Sequence, residues 1–299
     1  MSRKIRLLYD NHLRYGSKEH FFHFLWGYLF PSISMIIEGK NDKQFTDKIY
    51  YFDTCGPLMD KVINEVIKLL SLNAEIVSKA EVKITENKLL VPRWDLYLLR
   101  DYIIEDQSNV SHIANFKNCT YLKHFLSSPN FLKNFTEKIR EIRTTFFRHV
   151  VNLDLGTNPI LLLKRSNIHP FYTNQGNAEI KGYGKSRRGL SELNNYIDRH
   201  ANKNIRAYEA GKHSLSHQII SFFNSSGIIG IKGAEFANLI WLKEGAKVVM
   251  IRPHNMKTPN IQQKLSEILN LNFIELISYD GNYPSVLELD PIKYFNEHS

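Results

Sequence analysis

The run Ile228-Ile-Gly-Ile-Lys-Gly-Ala-Glu-Phe-Ala-Asn238 is the stretch of this chain whose residue types and spacing best suit chemistry. Its apolar start reads as a buried strand. Gly233 and Ala234 carry nothing larger than a methyl group, so a ligand can approach the backbone closely. The N–H groups of the turn that follows can hold an anion, and Lys232 stands beside them as a point charge. On spacing alone the run also reads as an ordinary tight strand-to-helix connection. The charge nearby agrees with the anion reading: residues 160–213 hold ten Lys/Arg against four Asp/Glu. Such a focus suits a phosphate-bearing partner (nucleotide, nucleic acid or anionic membrane surface), or else a basic face that binds nothing in particular.

The elements around this run are regular. Ile160–Leu163, Ile205–Tyr208, Ile228–Ile231, Val248–Ile251 and Phe273–Ile277 read as short buried strands. Between them, Leu190–Arg199, Ala234–Leu242 and Ile261–Leu269 read as helices. A further helix begins at an N-cap, Ser214, with Leu215, Ile219, Phe222 and Phe223 on one face. Gly245 ends the helix before Val248. Alternation of this kind builds a parallel sheet covered on both faces. The first half is less regular: strands over Ile33–Ile37, Tyr50–Phe52, Glu75–Val77 and Lys88–Val91, and two amphipathic helices. Met59–Leu70 repeats Val62, Val66, Leu69 and Leu70, and Leu132–Val151 repeats Phe135, Ile139, Ile142, Phe146 and Phe147. The expected organisation is α/β throughout. Residues 1–152 form one domain and 153–285 a second, joined near Asn152–Pro159, with 286–299 a tail that packs back on the first.

Composition narrows the classes. With 299 residues, 43% hydrophobic and 23% charged, the chain is not disordered, collagen-like or a disulfide miniprotein. The two cysteines, Cys55 and Cys119, sit in no metal-ligand cluster and read as reduced core residues. The net charge of +9 is shared between the halves, so there is no basic tail. No secretory signal is visible near Arg3, Lys4 and Arg6. The most apolar stretch, Phe21–Ile37, is interrupted by His23, Gly27, Pro31 and two serines. It reads as a buried helix, a turn and a buried strand, not a bilayer span, because Pro31 disfavours a continuous helix.

Several landmarks occur in an order that resembles glycosyltransferase family 61. Gly233-Ala234, three further residues, Asn238, an apolar stretch, Gly245 and the strand Lys247–Ile251 resemble its signature turn. Glu209 followed by Ser214-Leu-Ser-His-Gln218 resembles its upstream Glu and Gln. Lys164-Arg165, then Arg187 and Arg188 ahead of Leu193-Asn194, resemble its strand-end Arg and Arg–Asn segment. Phe22-His23-Phe24-Leu25, Leu29-Phe30-Pro31 and Lys88-Leu-Leu-Val-Pro92 resemble its N-terminal landmarks. The chain also departs from the pattern. Lys232 replaces the turn's His, Glu235 replaces a small residue, Gly27 replaces an acidic residue four after the His, and a long insertion separates Arg165 from Arg187.

The resemblance implies a GT-B fold, two Rossmann-like domains facing across a cleft. It implies an inverting, metal-independent glycosyltransferase with no cofactor, working on a bacterial-type surface glycan or lipid-linked glycan. Its place would be the cytoplasm, peripheral at the inner membrane. The nucleotide-sugar donor would meet Arg165, Arg187, Arg188, Lys232, Gly233, Ala234 and Glu235. Each arginine reads equally as part of a solvated basic loop. Glu209 would hold a ribose or else pair with a nearby arginine. Gln218 and Asn238 would read the base or brace the turn. His23, which by itself reads as a core histidine, is the base candidate, and Asp53, at a strand end before Cys55-Gly56-Pro57, is the second. Arg93-Trp94-Asp95 could face the acceptor, since Trp faces stack on sugars, but a structural Trp is the favoured reading. No Asp-x-Asp metal–diphosphate signature occurs. The competing readings are another GT-B transferase, such as a polysaccharide pyruvyl transferase, and a nucleic-acid-binding protein. The latter lacks basic residues interleaved with aromatics and a recognisable module, so no nucleic-acid partner is expected.

Overall fold

The computed structural model describes residues 4–10, 17–40, 48–78, 87–98, 131–150, 158–164, 171, 191–254, 261–278 and 290–297. The chain divides into two compact units, Met1–His149 with Ile180–Gly182, and Val150–Glu179 with Tyr183–Ser299.

In the first unit, β1 (Lys4–Tyr9), β2 (Ile49–Asp53), β3 (Ala74–Val77) and β4 (Asn87–Val91) form a parallel sheet in the order β3-β2-β1-β4. The central strand, β1, falls where sequence reading expected none. Its alternation of Ile5, Leu7 and Tyr9 with charged residues is interrupted by Arg6, which is itself buried because it pairs with Asp53 on β2. Successive strands run outward from β1 to β3, and the chain then returns to the other side of β1. The β1/β4 junction is therefore the point where the strand order reverses.

Helix α1 covers residues 21–40 and corrects the expected helix–turn–strand. It starts as an α turn, Phe21–Phe24, widens into a π segment, Leu25–Leu29, and continues as α-helix through Phe30–Lys40. The Phe30 N–H reaches back five residues to the Leu25 carbonyl. This wider turn immediately precedes Pro31, which has no N–H to donate and whose ring crowds the preceding turn. Ile33–Ile37 is thus helical. Residues Phe21–Gly39 are long and apolar enough to cross a membrane, but 72% of that stretch is buried inside the protein. Trp26, Phe30, Ile33 and Ile36 form its core face.

Helix α2 (Pro57–Leu69) buries Met59, Ile63 and Val66, a face rotated from the expected one so that Val62 and Leu69 lie at its flanks. A short helix, α3 (Trp94–Tyr97), follows β4, and α4 (Phe131–Val150) packs over it. Phe135 meets Trp94 and Tyr97 edge-on, and Phe146 meets Phe30. Ile139 and Ile142 complete that buried stripe as expected, while Phe147 is only half-buried.

The second unit has a five-stranded parallel sheet in the order β6-β5-β7-β8-β9. Its strands are β5 (Ile160–Leu163), β6 (Ile205–Tyr208), β7 (Gly227–Ile231), β8 (Lys247–Pro253) and β9 (Asn272–Ser278). Helices α5 (Ser191–His200), α6 (Leu215–Phe223) and α7 (Ile261–Ile268) connect them. The Ser214 hydroxyl caps α6 by accepting the His217 N–H. The connection after β7 is a 3₁₀ helix, Ala234–Trp241, rather than the expected α-helix. Its three-residue turn suits the i, i+3 bond that joins Asn238 to Trp241. Gly245, at φ +79°, turns the chain into β8.

The described part of the tail, α8 (Pro291–Glu297), packs on β7 and β8 of the second unit. Phe295 enters the core beside Leu162, Ile229 and Val249. Lys247 Nζ donates to the Phe295 carbonyl at 2.7 Å, and the Tyr196 hydroxyl of α5 donates to Asp290 at 3.0 Å.

Candidate active site

In open parallel sheets, ligands bind beyond the carboxyl ends of the strands where the strand order reverses. In the first unit that position is occupied by a connected set of charged groups. β4 ends at Val91, and Arg93 and Asp95 follow, both enclosed. Arg93 Nη1 donates to the Asp10 carbonyl just beyond β1, at 3.1 Å, and the guanidinium lies over the Tyr9 ring, 4.4 Å from its centroid. The rest of the guanidinium grips Asp95. Nε donates to Oδ1 at 2.8 Å and Nη2 to Oδ2 at 2.5 Å. Asp95 Oδ2 also lies 2.6 Å from His23 Nδ1, near the start of α1.

The chemistry of this set follows from its charges. Burial alone pushes the Asp95 carboxyl up. The charge and hydrogen bonds of Arg93, with the bond from His23, outweigh burial and bring it down to about 2. Arg93 responds in the opposite sense: burial lowers it, but Asp95 raises it further, so its guanidinium is held charged. An ionised carboxylate only accepts hydrogen bonds, so His23 Nδ1 carries the proton. In the neutral ring the Nε2 lone pair is then the basic one, and the imidazolium formed by taking a proton has a counter-ion already in place. His23 keeps 14% of its side-chain surface exposed, while Asp95 has none. A partly exposed imidazole whose Nδ1 proton is held by a buried, fixed carboxylate is an arrangement that can serve general-base chemistry.

The other first-unit candidates belong elsewhere. Asp53 sits in a separate cluster, with Arg6 Nε at 2.6 Å and Lys18 Nζ at 3.5 Å. Its backbone N–H donates to the Tyr28 hydroxyl, which in turn donates to the Leu7 carbonyl. Asp53 therefore ties β2 to β1. Trp94 follows the structural reading: it is 2% exposed and packs on Phe135. The N-terminus of α2 is closed by its own Asp60, which accepts the Cys55 N–H and the Thr54 hydroxyl. Cys55 is a buried thiol, raised by burial, that donates to the Asp53 carbonyl; Cys119 lies outside the described residues.

In the second unit the strand order reverses between β5 and β7, and Lys232-Gly233 stand at the end of β7. Lys232 is buried, and its N–H donates to the Ile251 carbonyl of β8 at 2.9 Å. Gly233 is fully extended, and Ala234 and Glu235 open the 3₁₀ helix. The Phe236 N–H returns to the Gly233 carbonyl. Lys164, at the end of β5, holds Asp198 of α5 at 2.8 Å. Arg165, Arg187 and Arg188 lie outside the described residues. Glu209 pairs with Lys212 at 2.8 Å, an ion pair with a lysine where an arginine was the expected alternative. Gln218 and Asn238 follow the bracing alternative. Gln218 Nε2 donates to the His213 carbonyl, Asn238 Nδ2 donates to Gln218 Oε1, and Trp241 Nε1 donates to Asn238 Oδ1. Both amides are buried, and this chain ties the 3₁₀ helix to the entry of α6.

Two features escaped sequence reading. One is the pairing of His23 with Arg93 and Asp95, 72 residues away from it at Asp95; the only local signal was an Arg-x-Asp directly after a strand and a proline. The other is a cluster at the end of β6. The His213 and His217 rings stack 4.2 Å apart, with Tyr208 4.9 Å from His213. Burial raises the Tyr208 hydroxyl, and it lowers His213 with help from neighbouring His217. Histidines four apart beside a strand-end tyrosine were the available signal. No protein-family model matches the chain, and no curated protein matches it.

Proposed function

We propose that this protein is an inverting glycosyltransferase. In this reading it moves a sugar from a nucleotide-sugar, held by the second unit, to a hydroxyl of a surface-glycan or lipid-linked glycan acceptor, held by the first. The observation that carries the reading is the His23–Asp95–Arg93 set at the strand-order reversal of the first sheet. His23 Nε2 takes the proton of the acceptor hydroxyl as its oxygen attacks the anomeric carbon. The bond from that carbon to the diphosphate breaks, and the nucleotide diphosphate leaves with the electron pair. Asp95 balances the imidazolium formed. Lys232 and the turn beside it meet the charge that develops on the leaving group.

The reading implies a GT-B arrangement, in which two Rossmann-like domains share one cleft. It also implies metal-independent transfer, because the chain has no Asp-x-Asp and relies on cationic side chains instead. The work would be done at the cytoplasmic side of a membrane, by an enzyme peripheral to it, and the +9 net charge suits an anionic surface. Nucleic acid is not a partner in this reading.

A thermal-shift screen against UDP-, GDP-, CMP- and dTDP-sugars tests it. A donor present at a hundred times its Kd adds about 2.7 kcal/mol and raises the melting midpoint clearly. One nucleotide class should do so. Retention on heparin combined with no response to any nucleotide-sugar would favour the nucleic-acid reading and overturn this one.

A further inference from the structure

We propose that Gly27 is a positioning residue: it leaves the space through which α3, the short helix after β4, instead of His23's own helix, delivers the carboxylate that orients His23. A Cβ on residue 27 would stand 2.7 Å from Asp95 Oδ1, 3.0 Å from Asp95 Cγ and 3.0 Å from Arg93 Nε. Residue 27 lies one helical turn beyond His23, on the neighbouring part of the α1 surface. Among the described residues, the glycines with positive φ are Gly56 and Gly245, so the backbone at 27 does not require glycine; the space does.

The neighbours cannot yield cheaply. Asp95 is wholly enclosed, and both of its oxygens are held by Arg93. Arg93 in turn is fixed by the Asp10 carbonyl and the Tyr9 ring. A methyl group at 27 must therefore push the carboxylate out of the Arg93 fork or away from His23 Nδ1. Glycine lowers helix propensity relative to alanine. Propensity and space thus predict opposite signs for the same substitution.

The inference rests on His23 acting as the base in the proposed reaction, and its test separates the two ideas. The His23 Nδ1–H proton resonance, assigned by its loss in His23→Gln, reads the contact with Asp95 without any substrate. In Gly27→Ala this resonance should shift or vanish, as it should in Asp95→Asn, and the unfolding midpoint should fall. Turnover should drop at least about tenfold with the donor KM unchanged. An unchanged resonance, or a raised unfolding midpoint, overturns the inference. A lost resonance with full turnover supports the positioning role and overturns His23 as base. If Gly27→Ala does not fold, Gly27→Ala/Arg93→Leu/Asp95→Ala, which removes both members of the buried ion pair beside residue 27, decides. Recovery of a folded protein once the obstructing carboxylate is removed supports the inference, and continued failure overturns it.

Discussion

His23 shows how little of a residue's role is written in its own neighbourhood. Phenylalanines flank it, yet Asp95 fixes its proton. His23→Ala should lower turnover by about 10²–10⁴-fold, the usual range for a general base, while nucleotide affinity stays nearly intact because the proposed reading puts the donor in the other unit. Calorimetric titration of nucleotide beside a turnover assay checks both parts. Asp95 makes a separate prediction about pH. Its folded-state value of about 2 lies below the ordinary 3.8, so its stabilising effect is fully present above about pH 4 and is lost as the pH falls through about 2. Acid denaturation should steepen across that window, and Asp95→Asn should remove that steepening. At the other sheet, Lys232→Ala should weaken nucleoside-diphosphate binding by about 1.5–3 kcal/mol, the range for a charge-assisted hydrogen bond. A change under about 0.5 kcal/mol would mark Lys232 as structural.

Among the elements, the 3₁₀ helix after β7 owes its position to polar groups in an apolar surrounding. Asn238 is fully buried and serves Gln218 and Trp241 together. Asn238→Ala leaves a buried indole N–H and a buried amide oxygen each short of a partner. It should cost about 1–3 kcal/mol for each group left unsatisfied, measured by urea unfolding at unchanged m-value. In the first unit, the π segment of α1 has a comparable importance. It admits Pro31 into a continuous helix and sets Gly27 against Asp95.

At the scale of the molecule, two parallel sheets each present charged groups where their strand order reverses. Neither set resembles a divalent-cation site. Among the described residues no cluster of three or more His, Cys, Asp or Glu side chains could hold a metal, and the carboxylates at these ends are paired with cations, as Asp95 is with Arg93 and Asp53 with Arg6. In the proposed mechanism cationic side chains meet the charge on the leaving group, so turnover should persist in excess EDTA; complete loss restored by Mg²⁺ or Mn²⁺ would refute that mechanism.

Much of this was determined locally and could be read from residue order. Short β-branched and leucine runs between amphipathic helices specify parallel strands, because such strands bury both faces, and all five strands of the second sheet lie where those runs do. Ser214 capped its helix as its side chain dictates. His23 by itself reads as a core histidine, and only the resemblance singles it out. Tertiary structure decided what depends on partners distant in sequence. Arg6 hid β1 until Asp53, 47 residues on, neutralised it. Pro31 argued for a break that a π turn absorbed. The tail's place was set by Phe295 filling the second core. Above all, a buried charge is tolerable only with a partner, and sequence does not say which one. Only the fold brought Asp95 and Arg93 against Gly27 and Asp95 against His23, turning a histidine in an apolar segment into an imidazole with a fixed orientation.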